Sequence, residues 1–244
     1  GVAPKDWDVA TNAEPEEVQK LFPDSVYENN FGTVGVKIRD GVDGEVQIVE
    51  ITTYRIEGKY TDKRHPDEIK FAKTIEEDLG RRDFTVNAMA LSITKNLKLK
   101  TKDNLIDPFG GQEDLKKKII RAVGDPDARF QEDALRLMRA ARFAAQLGFT
   151  IEATTWEAMT RHAKLLECIA VERIRDEFVK IIITERAMEG VQMFEDMGLL
   201  RFIVPELRDG IGVGQNLHHI YTVWEHNLRA LAYTAKKDYS LEVR

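Results

Sequence analysis

The sequence predicts an α+β head followed by an all-helical neck and body, and three observations carry that reading. Short β-rich runs recur between turn residues from about residue 31 to residue 107. Beyond "IDPFGGQEDL" nearly every segment repeats its apolar residues at the three- and four-residue spacing of an amphipathic helix. With 244 residues, 43% hydrophobic and 32% charged, the chain can bury one sizeable core, and more readily two or three modules in series.

Taken in order, "DWDVA" reads as an extended segment near the N-terminus. "TVGVKI" and "EVQIVEITTYR" read as strands, with "RDGVDG" as the hairpin loop between them, and "LKLK" as a further short run. The helical part reads as "RFQEDALRLMRAARFAAQLGF", one helix from near Gln131, then "TIEATTWEAMTRHAKLLE", "AVERIRDEFVKIIIT", "AMEGVQMFEDMGLL" and "IYTVWEHNLRALAYTAKK". Gly148, Gly190, Gly198 and Pro205 punctuate these helices. The change of periodicity divides the chain into a head over 1–115, a neck over 116–185 and a body over 186–244. No fixed-period repeat or low-complexity tract interrupts it.

No run approaches the roughly 18 apolar residues of a membrane span, and none resembles a signal peptide, so the expected location is cytoplasmic with no membrane partner. The single cysteine, Cys168, leaves no internal disulfide, and its apolar neighbours in "LLECIA" mark it as a buried structural thiol. A net charge of −6 argues against bulk attraction to nucleic acid. RNA contact must then rest on local basic stretches such as "TKNLKLKTK" and "LKKKIIR", which also read as solvated surface.

Two constellations carry chemistry. In an extended "DWDVA", Asp6 and Asp8 point to one face while Trp7 points away. Two like charges so close repel, and a divalent cation with oxygen ligands relieves the repulsion; a solvated Asp-x-Asp turn is the simpler alternative. In "EVQIVEITTYR", Glu50 shares a face with Val46 and Ile48, where an apolar residue is expected and a carboxylate needs a partner. Beside the "DWDVA" strand it completes three carboxylates, a set suited to in-line phosphoryl transfer with two metals.

The second constellation lies on the helix from Gln131. At about 100° per residue, Glu132, Asp133, Arg136 and Arg139 fall within roughly 120° of arc, opposite an apolar stripe of Leu137, Ala141, Ala144 and Leu147. Such a row is a surface salt-bridge ladder, or else an Asp and Arg pair that offers an acceptor and a forked donor to the edge of a base.

"PKDWDVATNA", "FGTVGVKI", "EITTYR", "DEIKFAKTIEEDLGRRDFTVNAMAL", "IDPFGGQEDL" and "RFQEDALRLMRAARFAAQLGF", in this order, resemble the class II tRNA nucleotidyltransferase and bacterial poly(A) polymerase family. The resemblance implies a DNA polymerase beta-like nucleotidyltransferase head, with Asp6 and Asp8 as magnesium ligands and Glu50 as the third carboxylate. It implies that Arg82, Asp83 and Asn87 line the ribose and triphosphate, and that Asp133 and Arg136 read the base with Glu132 fixing their orientation. Arg129 and Arg139 become phosphate or orienting contacts. The reaction implied is transfer of CMP or AMP from CTP or ATP to the 3′-hydroxyl at the tRNA acceptor end. CCA, CC-only, A-only and poly(A) addition share these motifs.

Family members carry a glycine-rich segment ending in Arg-Asp shortly before the Asp-x-Asp strand, and Gly1 stands just after its expected place. "NLHHIYTVWEHNL" resembles the opening of an HD-type phosphohydrolase module, with His226 at its first metal ligand; His218 and His219 lie in the preceding loop and no metal is assigned to these histidines. The function classes open at this point are a nucleotidyltransferase, an HD-type phosphohydrolase and a non-catalytic RNA-binding protein.

Overall fold

The computed structural model describes residues 7–27, 32–39, 46–58, 69–93, 104–216, 219–237 and 241. They group into two units. The first takes in the described residues up to 58, 69–82, 90–93 and 104–108, and the second 83–89 and those from 109 onward. Asp6, His218, the 40–44 part of "RDGVDG", "TKNLKLKTK" and the "LKLK" within it lie outside the described residues.

The first unit is built on a mixed sheet. Strand β1 (Asp8–Thr11) is followed by helix α1 (Pro15–Leu21) and strands β2 (Ser25–Tyr27), β3 (Thr33–Arg39) and β4 (Val46–Thr53). The order is β1-β4-β3-β2, with β1 parallel to β4 and the other pairs antiparallel. Helix α1 starts cleanly because Glu14 and Glu17 form a capping box around Pro15. Its Val18 packs on Val34, Val36 and Ile51, which alternate onto one sheet face. The opposite face of β4 stays open: Val46 and Ile48 are 52% and 56% exposed. The expectation that Glu50 intrudes on the sheet's apolar face is therefore corrected. The helix covers the face of Ile51, and Glu50 stands on the other.

Strand β5 (Arg55–Glu57) pairs with β6 (Ile69–Phe71), and a Thr74–Glu77 capping box opens α2 (Ile75–Gly80). Asp78 in α2 is buried, accepting from the Arg55 backbone N–H at 3.2 Å and Arg81 Nε at 3.0 Å. A short pair, β7 (Ala90–Leu91) with β8 (Leu105–Ile106), completes the unit.

The second unit is nearly all helix. A single 3-10 turn (Thr85–Asn87) precedes α3 (Gly111–Lys117), and β9 (Ile119–Ile120) pairs in parallel with β10 (Thr150–Ile151). Helices α4 (Pro126–Glu132), α5 (Leu135–Leu147), α6 (Ala153–His162), α7 (Val171–Ile182), α8 (Ala187–Asp196), α9 (Leu200–Ile203) and α10 (Val223–Lys236) follow. Their apolar stripes meet in one core of Phe130, Leu137, Met138, Ala141, Ala144, Met159, Ile181, Phe194 and Met197. Each large side chain there contributes about 1.5–3 kcal/mol by leaving water.

Three sequence expectations change here. The helix expected to run from Gln131 is two helices: α4 begins earlier, behind the Asp125 cap and Pro126, and ends at Glu132. Asp133 then takes an extended backbone, φ −134° and ψ 106°, because its carboxylate accepts the Leu135 N–H at 3.0 Å and competes with helical bonding. Leu147, assigned to the apolar stripe, is 47% exposed at the end of α5. Cys168 is exposed, not buried. It ends a 3-10 turn whose three-residue period turns Ala163, Leu166 and then Ile169 inward and leaves the thiol outside.

Candidate active site

In the first unit, the parallel pairing of β1 with β4 sets Asp8 level with Glu50. Neighbouring strands lie about 4.8 Å apart, and residues level with one another point to the same face, so the two carboxylates stand side by side. Both are exposed. On its other side Glu50 is level with Gly35 of β3. Two adjacent, exposed carboxylates form a hard oxygen donor set that suits a divalent cation. The described residues contain no group of three or more His, Cys, Asp or Glu that could hold a metal ion. Asp6, the other predicted ligand, lies outside them. Arg82 follows α2, its Nη2 3.8 Å from Asp78 Oδ2 and its Nε buried without a hydrogen-bond partner among the described residues.

The second unit gathers most of the other candidates. Asp83 is buried: its Oδ1 accepts from the Phe84 N–H at 2.9 Å and Asn87 Nδ2 at 3.4 Å, and its Oδ2 from Arg139 Nε at 2.7 Å. The turn carrying these residues is pinned from outside. Thr85 Oγ1 donates to buried Asp114 Oδ2 at 2.7 Å, and Arg121 Nε donates to the same oxygen at 3.0 Å. That hydrogen bond raises the Arg121 pKa against the opposing effect of its burial.

The acid and arginine row resolves differently from the single helical face expected. Glu132 accepts from Arg129 and, at 2.8 Å, from Arg136 Nη1. Asp133 Oδ2 accepts instead from Arg173 Nη2 of α7, at 3.1 Å. Arg139 turns to Asp83. Asp133 and Arg136 are thus held by separate counter-ions, because the break at Asp133 removes the helical register that would have paired them. Arg136 is 8% exposed and its backbone N–H donates to the Asp133 carbonyl at 3.0 Å.

Sequence reasoning missed Arg173, Asp114, Thr85 and Arg121. Only Arg173 carried a signal: a cation in the first turn of a helix opposes the helix dipole and calls for a local partner. His219 and His226 stack edge to face at 6.1 Å between centroids, with His226 exposed on α10. No helix among the described residues is long and apolar enough to cross a membrane.

Residues 1–121 match the poly(A) polymerase head domain, and residues 148–211 match a domain described as a probable RNA- and SrmB-binding site of polymerase A. The CCA-adding enzyme of Leuconostoc mesenteroides is 41% identical over 95% of this chain and 56% of its own length. That of Lactobacillus helveticus is 46% identical over 80% of this chain and 45% of its own. The chain spans about half the length of the curated relatives it matches. Among solved structures, the Bacillus stearothermophilus CCA-adding enzyme in complex with CTP superposes with a TM-score of 0.68 at 36% identity, over 82% of this chain and 45% of that one. A tRNA nucleotidyltransferase complexed with a primer tRNA and an incoming ATP analogue gives 0.62 at 28%, over 91% and 55%. The mixed-sheet unit is a nucleotidyltransferase head, and the chain belongs to the class II tRNA nucleotidyltransferase and bacterial poly(A) polymerase family.

Proposed function

We propose that the protein containing this chain transfers CMP and AMP from CTP and ATP, without a nucleic-acid template, to the 3′-hydroxyl of tRNA, and does so in the cytoplasm. The observation that carries the proposal is the register of Asp8 with Glu50, two exposed carboxylates on neighbouring strands of a nucleotidyltransferase head. The relatives' names, and the CTP, ATP analogue and tRNA in the related structures, support the choice of substrates. Within the chain the proposed division of labour is head 1–115, neck 116–185 and body from 186.

Asp6, Asp8 and Glu50 would hold divalent metal, with Mg2+ the natural ion for oxygen ligands next to phosphate. When bound, such an ion lowers the pKa of a hydroxyl and neutralises charge developing on phosphate oxygens. The 3′-oxygen forms a bond to the α-phosphorus, the bond to pyrophosphate breaks, pyrophosphate departs, and the hydroxyl proton passes to water. Arg82 offers charge to the triphosphate, while Asp83 and Asn87, braced by Arg139, meet the ribose. Asp133 accepts from the exocyclic amine of cytosine or adenine, and Arg136, oriented by Glu132 and Arg129, donates to the neighbouring ring nitrogen. Uracil and guanine place a carbonyl against the carboxylate and an N–H against the guanidinium, so they are rejected.

The test is incubation of the full-length protein with tRNA lacking its 3′ CCA and each of four labelled nucleoside triphosphates. CMP and AMP should be incorporated and UMP and GMP should not. Absence of incorporation with every nucleotide contradicts the proposal.

A further inference from the structure

Strand β4 is apolar on both faces, and α1 covers one of them. Val49 and Ile51 alternate with Val46 and Ile48 along "VQIVEITT", a pattern that suits a strand with both faces covered. Ile51 packs with Val18 of α1 and with Val34 and Val36. On the other face Val46 and Ile48 are each more than half exposed, and so is Val26 of β2, level with Gly35 and through it with Glu50. This is the face that carries Asp8 and Glu50. Ile48 stands two residues before Glu50 and Val46 four, about 7 and 13 Å along the strand. Lys37 of β3 is level with Ile48 on the same face, its side chain 42% exposed and its Nζ 3.8 Å from Asp24 Oδ1. An exposed ion pair of that length holds the ammonium weakly and leaves it able to turn to another anion.

Whatever covers these side chains has to leave the two carboxylates accessible to metal and phosphate, which suits a reactant better than a fixed protein element. The incoming nucleotide already has its contacts: Arg82 at the triphosphate, Asp83 and Asn87 at the ribose, Asp133 and Arg136 at the base. In-line transfer sets the attacking and leaving oxygens on opposite sides of the phosphorus, so the attacking RNA end needs a surface of its own beside the carboxylates. We propose that Ile48, Val46 and Val26 form the floor on which the last base of the RNA acceptor lies, and that Lys37 binds the phosphate on the 5′ side of that nucleotide. The proposal rests on the reading of Asp8 and Glu50 as the metal-binding pair. Aliphatic side chains present no donor or acceptor to be matched, so the floor takes whichever base the growing end carries, and selection stays with Asp133 and Arg136.

The experiment measures binding of tRNA lacking its 3′ CCA to the full-length protein without nucleotide, and then KM for that RNA and for CTP in transfer. It compares wild type, the Val46→Thr/Ile48→Thr double variant and Lys37→Gln, each with a thermal melt. Threonine keeps the branched side chain that strands favour, and at exposed positions the melts should stay level. The double variant should bind the RNA roughly fivefold more weakly, with KM for RNA rising in step and KM for CTP unchanged, because two half-exposed aliphatic side chains lose part of their burial. On RNA whose last nucleotide lacks its base, the double variant and wild type should bind alike. Lys37→Gln should lower the slope of log Kd against log salt by about 0.7, the share of one phosphate on a single strand. Unchanged RNA binding in both variants, a loss undiminished on the abasic RNA, or a rise in KM for CTP in place of RNA overturns the proposal. So does a lower melting temperature with RNA binding intact, which assigns the floor to another part of the full-length protein. If wild type shows the expected RNA binding but incorporates no nucleotide, the transfer reading fails and the RNA floor stands.

Discussion

Gly111 opens α3 against the turn that carries Asp83 and Asn87, and Gly111→Ala sets two effects against each other. Alanine in a helix is ordinarily the more stable choice by about 0.5–1 kcal/mol. Here an added Cβ would run into the backbone oxygen of Thr85, with Met89 Sδ at 2.9 Å. The thioether can move aside, but the carbonyl belongs to the same residue whose hydroxyl is fixed to Asp114 at 2.7 Å. Either α3 or the turn must shift, and overpacking of this kind costs about 1–3 kcal/mol. At about 2–4 °C per kcal/mol for a chain of this size, the melting temperature should fall by about 2–12 °C. Because the turn moves with Thr85, the KM for nucleotide should rise as well. Thermal melts of the full-length protein, paired with nucleotide titrations of the transfer rate, check both. A melting temperature that rises or stays level in Gly111→Ala refutes the close approach of α3 to the turn.

Other consequences follow from the same geometry. Asp8→Ala should abolish transfer while changing stability by less than about 0.5 kcal/mol, because Asp8 is exposed; near-normal incorporation with an unchanged melt counts against Asp8 as a metal ligand. Burial alone would raise the Glu177 carboxyl, but Lys180 and Arg142 outweigh it and hold its pKa below the ordinary value. That contribution to stability is complete above about pH 4.3 and is lost as pH falls through the folded pKa, so acid melts should fall more steeply for wild type than for Glu177→Gln. Parallel acid profiles contradict the coupling. Arg136→Lys keeps the charge but loses the fork, and should relax nucleotide choice roughly tenfold in incorporation assays; an unchanged choice makes Arg136 a structural ion pair.

What could be read in the sequence was what depends on short-range periodicity. The alternation of "EVQIVEITT" put Glu50 on a defined strand face, and the spacing of "DWD" fixed which face Asp8 would share, so the pairing of their strands needed only adjacency. Alternation did not say which face α1 would cover, and the assignment of Glu50 to the apolar face failed for that reason. The helix break at Asp133 escaped because the apolar period continues across it, while a side-chain bond to the Leu135 N–H decides the backbone. Long-range partners left almost no local trace. Arg173 is 40 residues from Asp133 and Arg139 is 56 from Asp83, distances at which only the folded chain shows who meets whom.

The proposed function requires that an acidic and a basic side chain, not a nucleic-acid strand, choose the nucleotide. Incorporation of all four nucleotides onto tRNA lacking its 3′ CCA, compared between full-length wild type and Asp133→Ala, tests it most directly. Asp133→Ala should still transfer but lose roughly tenfold or more of its preference for CTP and ATP over UTP and GTP. An unchanged ranking of the four in Asp133→Ala contradicts it.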